Sequence, residues 1–147
     1  MASGREKLDL SCGPLPDGHE AESKTVLVAS SKPGRQTIVA DLLTGQGYNV
    51  VLASNGEQAT VLLGRGGIDL VITALVMTDM DGLELLKAMR DSGLALPVIA
   101  VAPGAQKIDQ VYAKSALLLG AEKAFLWPLT PLQFLDDVRE ILKLPAK

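Results

Sequence analysis

Cysteine, histidine, aromatic residues and net charge are all scarce in this chain of 147 residues. The single cysteine, Cys12, excludes a disulfide within the chain and fits a reducing compartment. The single histidine, His19, stands near it with no further ligand at metal spacing, so no zinc or other metal site is expected. Aromatics make up 3% of the residues, so any core must be built from Val, Leu, Ile and Ala. A net charge of −3 and a pI near 5.1 provide no broad basic surface, and nucleic acid is not expected as a partner. No apolar run reaches the length that spans a bilayer, so no membrane partner is expected either. The first residues lack the charged-then-apolar pattern of a secretion signal, which makes the cytoplasm the expected location.

What is present is aliphatic and regular. Hydrophobic residues make up 48% of the chain and mean hydropathy is +0.25, enough for one buried sheet in one domain. Residues 1–23 read differently. S-C-G-P-L-P-D-G-H-E-A-E-S holds turn formers and few apolar groups, and predicts a flexible tail before a folded domain at 24–147.

From Thr25 the pattern alternates between short apolar runs and amphipathic stretches. T-V-L-V-A (25–29) predicts a strand buried on both faces. Pro33 starts a helix whose apolar stripe is Ile38, Val39, Leu42 and Leu43, and Gly45 and Gly47 end it. Y-N-V-V-L-A (48–53) predicts the second strand. Asn55 caps a helix to about Leu63, and G-R-G-G stops it. I-D-L-V-I-T (68–73) predicts the third strand, and Gly82 opens a helix through Leu83, Leu86 and Met89. P-V-I-A-V (97–101) predicts the fourth strand, before a helix over 106–119. K-A-F-L (123–126) predicts the fifth, before a helix capped by Thr130 and stopped before Pro145. Five strands alternating with five helices give an α/β doubly wound parallel sheet.

Several blocks carry a family resemblance. G-Y-N-V-V-L-A-S-N-G-E-Q-A, D-L-V-I followed by M-x-x-M-D-G, P-V-I-A-V, and L-G-A-E-K-A-F-L-W-P-L resemble response-regulator receiver domains over about Lys24–Leu142. The resemblance implies a flavodoxin-like (βα)5 fold with strand order 2-1-3-4-5. It implies a role in two-component signal transduction and phosphorelay, bacterial in character. It also implies a cis bond between Trp127 and Pro128.

The functional positions depart from that family. Ser30 and Ser31 stand where the resemblance implies an acidic pair that binds magnesium. Ala74 stands at the phosphoacceptor aspartate, Ala102 at the hydroxyl residue ending strand four, Trp127 at the lysine before proline, and Ala124 at the switch aromatic. Magnesium needs anionic oxygen ligands, and phosphoryl transfer needs the metal and a cation against developing charge. The expectation is therefore no enzymatic activity, no cofactor and no metal. Asp79 and Asp81 read as a turn residue and a helix cap. Trp127 fills the vacated pocket over Ala74 and Ala102, or offers a ligand or partner an aromatic face.

Two functions remain open. The first is a pseudo-receiver that docks another signalling protein, or a second copy of itself, without phosphorylation. The resemblance places docking on the face of helix four, strand five and helix five. Leu117, Leu118 and Leu119 fan over about 200° of helix, so at least one faces outward. With Leu129 and Leu132 they suggest an apolar interface. The second is a small-anion or ligand binder using Ser30, Ser31, Lys32, Arg35 and Thr37 at a helix start.

Overall fold

The computed structural model describes residues 24–143. The tail predicted over 1–23, with Cys12 and His19, lies outside the described residues, as does Pro145. The elements run β1 (Thr25–Ala29), α1 (Pro33–Thr44), β2 (Asn49–Ala53), α2 (Gly56–Gly64), β3 (Leu70–Ala74), α3 (Gly82–Asp91), β4 (Val98–Ala102), α4 (Ile108–Leu118), β5 (Lys123–Leu126) and α5 (Pro131–Lys143). All strands are parallel, in the order β2-β1-β3-β4-β5.

Side chains alternate across each strand, so every central strand feeds two cores. Leu27, Ala29, Val71, Val98, Ala100 and Ala102 face α2, α3 and α4, which contribute Ala59, Leu63, Leu85, Leu86, Met89 and Ala116. On the other face, Val26, Val28, Leu70, Ile72, Ile99 and Val101 meet Val39 and Leu43 of α1 and Phe134, Leu135 and Val138 of α5. The edge strands β2 and β5 are more exposed, as their place requires.

Local chemistry sets the helix ends. The Asn55 side chain accepts the Gln58 N–H at 2.8 Å and starts α2. Asp81 and Glu84 form a reciprocal capping box at the start of α3. Thr130 accepts the Phe134 N–H through its backbone carbonyl.

Two readings of the sequence need correction. Ile38 is 49% exposed and does not join the buried stripe. Val39 and Leu43 lie one turn apart and face the sheet, whereas Ile38 is turned about 100° away from Val39. The third strand is shifted to 70–74. Asp69 does not pair as a ladder residue facing a core. Its carboxylate accepts the Thr25 N–H at 2.9 Å and ties the start of β1 instead. The strand then extends through Ala74, opposite Val101.

Candidate functional site at the strand C-termini

Because all strands are parallel, their C-terminal ends share one edge of the sheet, where loops diverge and ligands bind in such folds. Four of the five strands end here in alanine: Ala29, Ala53, Ala74 and Ala102. The floor carries no reactive or charged group.

The two serines after β1 are engaged with the backbone. The buried Ser30 hydroxyl accepts the Lys32 N–H at 3.1 Å, and the Ser30 N–H donates to the Ala53 carbonyl at 3.0 Å. The Ser31 hydroxyl accepts the Thr78 N–H at 3.1 Å, which ties the loop after β1 to the loop after β3. These oxygens are neutral and Ala74 has none, while Lys32 and Arg35 line the same cleft. This donor set does not fit magnesium.

Trp127 walls the cleft without filling it. Its backbone N–H donates to the Ala102 carbonyl at 3.0 Å, and its ring lies partly buried against the second core. The Arg35 guanidinium carbon stands 5.0 Å from the indole centroid. The Trp127–Pro128 bond is cis. A shallow cleft, open to solvent, remains between Ser30, Arg35, Gln36, Ala74 and Trp127. Ala102 does not line it and is fully buried in the first core, where Ala124 is half-buried.

Of the anion-binding candidates, Ser30, Lys32 and Arg35 come together at the cleft. The Ser31 hydroxyl turns to Thr78, and the exposed Thr37 does not line the cleft. The leucines divide as well. Each helix runs back against its strand, so α4 begins at the C-terminal edge and Leu117 and Leu118 lie at its far end. Its eleven residues span about 16 Å. Leu132 sits in the first turn of α5, at the opposite end and on the other face of the sheet. Leu118 is 88% exposed, Leu132 78% and Leu117 47%, whereas Leu129 packs against the second core.

Two groups escaped the sequence reading. Gln36 donates to the Val28 and Ala53 carbonyls at 3.1 and 2.8 Å, fastening α1 to two strand ends. Asp79 caps a helix, but that helix is α2. Its two oxygens accept the Gly56 and Glu57 N–H groups at 3.0 and 2.9 Å. No local pattern signals a cap from more than twenty residues away.

The Gly56 N–H lowers the Asp79 pKa, with help from the Glu57 N–H. A carboxylate held below its unfolded pKa stabilises the fold above that value, near 3.8. The contribution disappears as pH falls through the lower folded value. Asp79→Ala should therefore lower the melting temperature at neutral pH, and the difference from the native chain should shrink as pH falls through the lowered Asp79 pKa. Melts across that range check it.

Residues 26–139 match the model of the response regulator receiver domain. The chain belongs to that family. The sensor histidine kinase RcsC of Escherichia coli K12 is 31% identical over 122 residues, covering 83% of this chain and 12% of RcsC. The alkaline phosphatase synthesis transcriptional regulatory protein PhoP of Bacillus subtilis is 27% identical over 121 residues, covering 82% and 49%. This chain thus spans less than half the length of either relative. The receiver domain of Ssk1, solved with the phosphotransfer protein Ypd1 from Saccharomyces cerevisiae, superposes with a TM-score of 0.71 at 21% identity. That match covers 80% of this receiver and 88% of the other chain. Among the described residues, no helix is long and apolar enough to cross a membrane.

Proposed function

We propose that this receiver acts in signal transduction as a pseudo-receiver: a docking module that works without phosphorylation. The observation that carries the reading is the strand-end floor. Ser30, Ser31 and Ala74 supply no carboxylate, and both hydroxyls already bind backbone N–H groups. A phosphoryl group on Asp79 would break two bonds to the start of α2, which argues against a substitute acceptor. With no acceptor and no metal ligands, the docking surface is a standing one, present without a signal.

The partner is another signalling protein or a second copy of this chain. The Ssk1 receiver, solved with Ypd1, illustrates the first kind. Leu117 and Leu118 at the end of α4 are the strongest apolar candidates, and Val111 is also exposed on that helix. Burying such a group, less the costs of association, suits a micromolar contact. Leu132, at the opposite end of the sheet and on its other face, is the comparison site.

The test is association measured by sedimentation and by capture of receiver partners. It should be unchanged by magnesium with beryllofluoride. Leu117→Glu with Leu118→Glu should weaken it at least tenfold with the melting temperature kept, while Leu132→Glu leaves it intact. Association that appears only with beryllofluoride would sink the reading.

A further inference from the structure

The cleft beside Trp127 carries two cationic side chains, Lys32 and Arg35, and no Asp or Glu lines it. Among the described residues neither cation forms an ion pair. A site of this charge repels metal ions and attracts anions. We propose that it binds a small oxyanion of the phosphate or phosphomonoester class, held between Lys32 and Arg35 against the Trp127 indole.

Four features support this class of ligand. Ala74 has no side chain beyond Cβ, which leaves the mouth of the sheet open to solvent beside Ser30 and Arg35. Arg35 is already placed. Its guanidinium carbon stands over the indole at 5.0 Å from the centroid, a cation–π contact that holds the charge at the cleft, and a guanidinium can give two parallel bonds to an oxyanion. The Ser30 hydroxyl accepts from the Lys32 N–H at 3.1 Å and donates to the Lys32 carbonyl at 3.5 Å, a long bond that a nearer oxyanion acceptor would replace. Finally, α1 begins at Pro33 with no side-chain cap and no acid in its first turn, so its positive end adds to the field.

The site is separate from the proposed docking end of α4, so failure of either proposal leaves the other standing. Trp127 is the only tryptophan in the chain and reports from inside the cleft. Inorganic phosphate titrated into the full chain at constant ionic strength should change its emission saturably, in the millimolar range. Chloride should not. Lys32→Gln with Arg35→Gln should weaken binding at least tenfold. Because that pair also removes the stack on the indole, amide shifts at Ser30, Lys32 and Ala74 provide a second readout. No saturable change in either readout, an equal response to chloride, or undiminished affinity in the double variant would overturn the proposal.

Discussion

Phe134→Ala should lower the stability of this receiver by about 3–5 kcal/mol. Phe134 is the largest side chain buried without residual exposure. It sits in α5 and fills the space between that helix and the strand face carrying Val26, Val28, Ile72 and Ile99. The Phe125 ring meets it edge-on, with centroids 5.8 Å apart and planes at 73°. Truncation removes the burial and leaves a cavity. The neighbours are β-branched residues locked in strands, which cannot move in to fill it. Total stability of a domain this size is about 5–15 kcal/mol, so the variant should be near the threshold of folding. Urea unfolding followed by circular dichroism gives the value. A loss below about 1 kcal/mol would mean that α5 is not anchored through this ring.

The framework was legible because it depends on short-range patterns. T-V-L-V-A and P-V-I-A-V are short apolar runs bounded by turn formers and read as strands, and the observed β1 and β4 lie within a residue of those runs. The Asn55 cap and the Asp81 cap follow from residue type and spacing. What the sequence concealed depends on partners far along the chain. Asp69 looks like a strand residue until its bond to the Thr25 N–H is seen. Asp79 caps a helix that precedes it. The leucines of α4 and α5 looked like one patch, yet helix direction and sheet face separate Leu118 from Leu132. At the candidate site, residue types showed that no carboxylate stands at 30, 31 or 74. They did not tell that Trp127 would leave a cleft, because that depends on how its ring rests on the core and beneath Arg35.

Two glycines share a backbone conformation and differ in their neighbours. Gly93 and Gly104 adopt φ of 83° and 85°. A side chain in this left-handed region costs roughly 1–3 kcal/mol at either position. At Gly93 an added Cβ would meet open space. At Gly104 it would collide with the carbonyl oxygen of Trp127, and backbone must shift to admit it. Gly93→Ala should therefore cost the conformational strain alone and leave tryptophan emission unchanged. Gly104→Ala should cost about 1–3 kcal/mol more, comparable to other overpacking in a tight contact. It should also move the Trp127 emission, because the Trp127 backbone lies against Gly104 and its N–H donates to the Ala102 carbonyl, so a shift there carries the indole with it. Paired urea unfolding and emission spectra separate the two contributions. Equal losses for both variants, with unchanged emission, would mean that the loop after β4 moves freely away from Trp127 and does not shape the cleft.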